Sequence, residues 1–169
     1  MSAKAASSAS SPSLLHLVKQ VQYKAYLRLE DVFQPLGITA VQFRILTTLS
    51  TSPGMSSAEL ARLYDVKPQT MIKQVATLER KSLIERRNSE TNRKLLELRL
   101  TDEGKRVLAE CRGQSRAVEA SVLSSLDETE QATLRDLLSR LLSDMAEDDF
   151  GEAEGEFSRE FARSGVQRV

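Results

Sequence analysis

The sequence predicts a mainly helical α+β fold in which a bundle of helices is interrupted once by a short two-stranded hairpin. Three observations carry that reading. Apolar residues recur at three-to-four spacing through most of the chain. The period shortens to two around Leu96, Leu98 and Leu100, where Glu97 and Arg99 alternate with them. Glycine is scarce, at seven among 169 residues, and tryptophan is absent, while Leu, Ala, Glu and Arg dominate.

Each element follows in order. Leu14, Leu17, Val18, Val21, Ala25, Leu29 and Val32 mark a long amphipathic helix that Pro35 and Gly37 end. Thr39 to Gln42 reads as a capping box opening a helix with Val41, Ile45, Leu46 and Leu49 on its apolar side, broken by Pro53-Gly54. Ser56 to Glu59 is a second capping box, starting a helix of about nine residues with Leu60 and Leu63 facing inward. After a turn from Tyr64 to Lys67, Pro68 suits the first position of a further helix, PQTMIKQVATLERK. The hairpin then runs from Leu83-Ile84 to Arg87 and back through Leu96 to Leu100, with RRNSETNRK at its tip. Thr101, followed by Asp102 and Glu103, caps a long helix through Val107, Leu108, Cys111, Val118, Val122 and Leu123. Asp127 and Glu130 open the last, with Leu134, Leu137, Leu138, Leu141, Leu142 and Met145 along one side.

Composition narrows the function. A chain of this length holds one sizeable domain. It lacks the run of about 18 apolar residues that a membrane-spanning helix needs. Residues 1–12 are rich in Ser and Ala without an apolar stretch, which predicts a disordered arm and not a signal peptide. The single cysteine, Cys111, permits no internal disulfide and no zinc set, and fits a reducing cytoplasm. There is no glycine-rich phosphate loop, no HExxH and no nucleophile elbow, and one His with one Cys makes neither a metal site nor an oriented dyad. No enzyme activity and no cofactor are therefore expected.

The net charge is zero, but its distribution is uneven: Arg62 to Arg106 holds twelve Lys/Arg against seven Asp/Glu, and residues 144 to 169 hold eight acids against three arginines. A basic middle points to a polyanion. In the helix that starts at Pro68, Met71, Val75 and Leu78 form a core stripe at i, i+4, i+7, which leaves Gln69, Thr70, Lys73, Gln74 and Thr77 outside, with Lys67 at its head. Glutamine pairs with adenine, lysine with guanine edges or phosphate, and the threonine methyl with thymine. Three short helices and a basic hairpin make a winged helix-turn-helix pattern, in which the third helix enters the major groove of double-stranded DNA and the wing reaches backbone or minor groove. Arg86 and Arg87 are read as phosphate contacts, and Arg93 and Lys94 as sharing a minor-groove role. Ile72 is read as packing partly on the core.

The long first helix and the run LGITAVQFRILTTL come first in an order continued by SSAELARLYDVKPQTMIKQVATLERKSLIERR, a polar wing, LRLTDEG and two terminal helices. Together these resemble the MarR family of bacterial transcriptional regulators over roughly residues 14 to 146. The resemblance implies a winged lobe at 38–104 and dimerisation helices at 13–34 and 102–146, within a domain of 13–146 followed by an acidic, disordered tail at 147–169. It implies a homodimer that binds a near-palindromic operator, a recognition helix at Pro68 to Lys81 and a wing at Arg86 to Lys94. It also implies a small aromatic or phenolic acid as effector, in a cleft for which His16, Tyr23, Tyr26, Phe43 and Arg44 are the candidates, Arg44 suiting a carboxylate. Such a protein is expected in a bacterial cytoplasm, at the nucleoid, as a repressor; a ligand- or redox-responsive activator and an adaptor without DNA binding are the alternatives.

The chain departs from the family pattern in three places. Ser82 stands where the recognition helix usually ends in glycine. Asn92-Arg93-Lys94 replaces the wing's usual Asp-x-Arg. Cys111 lies far from the N-terminal helix where redox-sensing members carry their cysteine, and is read as a buried apolar thiol.

Overall fold

The computed structural model describes residues 11–88 and 96–148. The wing-tip candidates Arg93 and Lys94, the first ten residues and the tail beyond residue 148 lie outside that range. The described elements are α1 (Leu14–Phe33), a short 3-10 turn (Gln34–Leu36), α2 (Ala40–Thr51), α3 (Ser57–Leu63), α4 (Pro68–Arg80), β1 (Ile84–Asn88), β2 (Leu96–Leu100), α5 (Asp102–Val122) and α6 (Glu128–Asp148).

Local chemistry accounts for where the helices begin. Both expected capping boxes form: Thr39 Oγ1 accepts from the Gln42 N–H at 3.1 Å, and Ser56 Oγ from the Glu59 N–H at 3.2 Å. The Glu59 carboxylate returns a bond to the Ser56 N–H at 2.7 Å, and with the Ser56 hydroxyl this holds its pKa below the ordinary glutamate value. Thr101 caps α5 by accepting from the Gly104 N–H at 2.9 Å.

The ends are as specific. Asp65 at φ 47° and Ser82 at φ 57° both sit in the left-handed region. Behind each runs the same pair of bonds, Asp65 N–H to the Arg62 carbonyl with Val66 N–H to Ala61, and Ser82 N–H to Glu79 with Leu83 N–H to Leu78. A Schellman cap thus ends α3 and α4 although neither carries the usual glycine. Two readings of α3 change: it spans seven residues, and Leu63 is 60% exposed. Leu60, Ala61 and Tyr64 carry its inward face instead, because the cap turns the chain immediately after Leu63.

The core lies inside the lobe built from α2, α3, α4, the hairpin and the start of α5: Ile45, Leu46, Leu60, Met71, Val75, Leu78, Leu98 and Cys111 are fully buried there, with Phe33 of α1. β1 and β2 pair antiparallel with Ile84 opposite Leu100, Arg86 opposite Leu98 and Arg87 opposite Glu97. The α2–α3 link joins the far edge of β2 through Gly54 N–H to the Leu98 carbonyl at 3.2 Å and Leu98 N–H to the Met55 carbonyl at 2.9 Å.

The two sequence runs most specific to the resemblance, LERKSLIERR and LTDEG, meet in space. Thr101 donates its hydroxyl to the Ser82 carbonyl at 2.7 Å and its N–H to the Leu83 carbonyl at 3.1 Å. The Leu83 carbonyl lies so close to Gly104 that a Cβ there would stand 1.9 Å from it. Only glycine lets α5 start against the root of the hairpin.

Candidate nucleic-acid interface

Pro68 begins α4 where its missing N–H has no intrahelical partner to lose. The inner face is Met71, Gln74, Val75 and Leu78, all buried. The outer stripe is Gln69, Ile72, Lys73 and Arg80, all exposed, with Ala76 half-buried among them. No carboxylate interrupts it, since Glu79 turns toward the hairpin.

The recognition face differs from the expected one in three ways. Gln74 does not face outward; it is 2% exposed and accepts from the Gln42 amide, itself 3% exposed, at 3.4 Å. Position 74 lies between Met71 and Leu78 on the helix surface, and a buried amide opposite it on α2 satisfies it. Ile72, read as partial core, is 41% exposed on the outer stripe. Arg80, two turns beyond Lys73, was not among the candidates, although its spacing of eleven from Gln69 is the helical signal that finds it. Thr70 and Thr77 are half-buried flanks, and the Thr77 hydroxyl is already engaged, donating to the Lys73 carbonyl and accepting from Arg80, both at 3.0 Å. Lys67 is exposed at the helix head.

A polar tie fixes the helix from behind. Lys81 Nζ donates to the Gly37 carbonyl and, at 3.0 Å, to Gln42 Oε1. Burial and the neighbouring Arg80 hold its pKa below the ordinary lysine value. Gln42 therefore touches both Gln74 and Lys81, and the α1–α2 corner, α2 and the far end of α4 are bound by one set of bonds. The corner is itself tied to α1, because Glu30 Oε1 accepts from the Ala40 N–H at 2.7 Å.

The hairpin separates the two arginines that were read alike. Arg86 lies on the Leu98 side and pairs with Glu79 of α4 at 2.8 Å, whereas Arg87 lies on the opposite side, beside Glu85 at 2.6 Å. Arg86 is thus held against the recognition helix, and Arg87 faces away from it.

The five effector candidates do not converge. His16 is exposed and bonds Gln20 at 2.8 Å, Tyr23 is exposed, and Tyr26 packs half-buried on the core. Phe43 leans on Phe33 with ring centroids 4.9 Å apart, while Arg44 lies over the Tyr64 ring at 5.3 Å, toward α3. Three clefts, of about 460, 320 and 400 Å³, are lined by none of these five. Cys111 is fully buried, and burial raises its pKa to about 11, so the thiol stays protonated at neutral pH.

Comparison with known proteins decides the family. The model described as MarR family matches residues 38–96. Over 110 residues the chain is 37% identical to the HTH-type transcriptional repressor Rv2887 of Mycobacterium tuberculosis, covering 65% of this chain and 79% of that protein. The chain belongs to the MarR family. The crystal structure of the MarR family protein Rv2887 in complex with salicylic acid matches with a TM-score of 0.66 at 32% identity, covering 79% of this chain and 98% of that one. A mutant of Escherichia coli MarR complexed with operator DNA matches with a TM-score of 0.69 at 25% identity, covering 76% and 93%. Against the usual MarR glycine, Ser82 keeps the left-handed cap and so carries its strain.

Proposed function

We propose that the chain is a DNA-binding transcriptional repressor that holds a near-palindromic operator as a homodimer and releases it when a small aromatic or phenolic acid binds. The observation that carries this reading is the outer stripe of α4, Gln69, Ile72, Lys73 and Arg80, which is exposed, rich in donors and free of carboxylates. Set into a major groove, Gln69 and Lys73 read base edges, Ile72 meets a thymine methyl, and Arg80 reaches phosphate. Lys67 and the flanking Thr70 and Thr77 contact the backbone beside them. Arg86, braced by Glu79, lies next to the same helix, and Arg93 and Lys94 at the wing tip enter the minor groove.

The relatives support each part: Rv2887 is named a repressor and has a structure with salicylic acid, and an E. coli MarR mutant has one with operator DNA. The homodimer is supported by the apolar faces that α1 and α6 leave exposed. No described helix is long and apolar enough to cross a membrane. A bacterial cytoplasm, where an operator is found, is the compartment this reading requires.

The deciding experiment is footprinting of genomic DNA by the purified protein, followed by titration of the bound site at several salt concentrations. A dimer contacting six to ten phosphates loses about 10³–10⁵-fold in affinity between 50 and 200 mM salt. Gln69→Ala or Lys73→Ala should relax sequence preference by about 1–3 kcal/mol, whereas Arg86→Ala should weaken all DNA alike. An absent footprint would establish the adaptor reading instead.

A further inference from the structure

The cleft of about 460 Å³ lies on the sheet face turned away from α4 and is shared by three parts of the lobe. The end of α2 contributes Leu49 and Ser50, the root of the wing Glu85, Arg87, Arg99 and Leu100, and one face of α5 Lys105, Leu108 and Arg112. Four cations therefore face one carboxylate. Three of them already have acidic neighbours, Arg87 with Glu85, Arg99 with Glu97 and Lys105 with Asp102. Arg112 has none among the described residues; its guanidinium donates to the Ser50 hydroxyl at 2.9 Å. Beneath the charges lies an apolar floor, with Leu49 and Leu108 buried and Leu100 partly so. The volume falls within the ~300–1,000 Å³ common to small-molecule sites.

An apolar floor under a cationic rim fits a ligand with one flat hydrophobic side and one negative group. We propose that this cleft is the effector site, and that it takes a small aromatic carboxylate with its ring on Leu49, Leu100 and Leu108 and its carboxylate forked by Arg112. The proposal rests on the reading of the chain as a regulator released by an aromatic acid, and it moves the anion site away from Arg44. It also supplies a route to DNA. A ligand held here bridges α5 to the wing root, so it favours whichever placement of the wing lets Arg112 and the Arg87–Arg99 pair close on it together. Release of operator follows if that placement is the one that binds DNA less well.

Salicylate is the probe, titrated calorimetrically into the full chain, with inorganic phosphate and phenol as partial ligands. Salicylate should bind saturably, and phosphate, which lacks a ring, and phenol, which lacks the carboxylate, should each bind at least tenfold more weakly. Arg112→Ala should weaken salicylate by about ten- to a hundredfold, because a charge-assisted fork is lost, and Lys105→Ala by less. Arg44→Ala should leave it unchanged. If Arg44→Ala abolishes binding while Arg112→Ala and Lys105→Ala do not, the cleft is wrong and the effector reading survives. Phosphate binding as tightly as salicylate would overturn the aromatic class. If the unaltered chain binds no salicylate, the cleft proposal and the effector half of the functional reading fall together, and operator binding by the same preparation still judges the DNA half.

Discussion

Leu46, Leu60 and Leu98 of the winged lobe are 0–1% exposed, whereas Leu138, Leu141 and Leu142 of α6 are 37%, 57% and 69% exposed. The same residue type at the same helical spacing thus ends in two environments. In the lobe the apolar stripes of α2, α3 and α4 meet one another and β2, so that nothing large is left over. Along α6 no large apolar side chain among the described residues is buried, and at the start of α1 Leu14, Leu15 and Val18 lie open as well. The lobe is written to close on itself and the outer helices to close on something else, for which a second copy of the chain is the simplest occupant. Periodicity says that a face is apolar, and not whose atoms cover it.

The sharpest way to break this comparison is to charge the outer surface. Leu138→Asp with Leu141→Asp touches no buried side chain, so the monomer should keep its helical circular dichroism. Association should be lost, and operator affinity should fall by about 10²–10⁴-fold once two half-sites are no longer held by one body. Sedimentation and footprinting check both halves. A double variant that still sediments as a dimer would mean that α6 faces solvent in the assembly.

A second, smaller effect tests the lobe's closure through two glycines of one helix. Gly104→Ala would set a methyl 1.9 Å from the Leu83 carbonyl, whereas at Gly113 an added methyl meets nothing within 4 Å. Gly104→Ala should therefore cost about 1–3 kcal/mol, as overpacking against backbone does. Gly113→Ala should add about 0.5–1 kcal/mol through better helix propensity. Denaturant midpoints measured side by side decide it, and equal shifts of the same sign would refute the close approach.

How far the sequence reveals this molecule follows the same division between near and far. The capping boxes at Thr39 and Ser56, the stop at Gly37 and the hairpin pairing depend on neighbours a few residues away, and each is where the spacing puts it. Gln74 was misread because its partner, Gln42, is 32 residues distant and only folding brings the two amides together. The Lys81 tie to Gly37, 44 residues away, was invisible for the same reason. Arg86 and Arg87 were legible but read too coarsely: successive strand residues face opposite ways, so one of them had to leave the recognition side. The effector candidates were chosen for aromatic character on α1 and α2, yet Phe43 and Arg44 lean on different partners. A cleft made by three separate elements has no signature in any one of them.

The smallest effect concerns the seam where recognition helix and hairpin join, and it asks whether the lobe is optimised or merely sufficient. Ser82 holds φ 57°, a region that disfavours any side chain, and its place there is enforced by the bonds from Ser82 N–H to Glu79, Leu83 N–H to Leu78 and the Thr101 hydroxyl to the Ser82 carbonyl. All three use backbone atoms of residues 82 and 83, so they survive Ser82→Gly. Left-handed strain in a non-glycine residue costs about 1–3 kcal/mol, and the extra freedom of glycine in the unfolded chain offsets about 0.4–1 kcal/mol of the relief. The variant should therefore gain about 0.5–1 kcal/mol, a rise of some 1–4 °C in Tm for a chain of this size, with operator affinity unchanged because the side chain contacts neither core nor recognition stripe. A fall in Tm would show that the serine side chain contributes something here that its backbone geometry does not reveal.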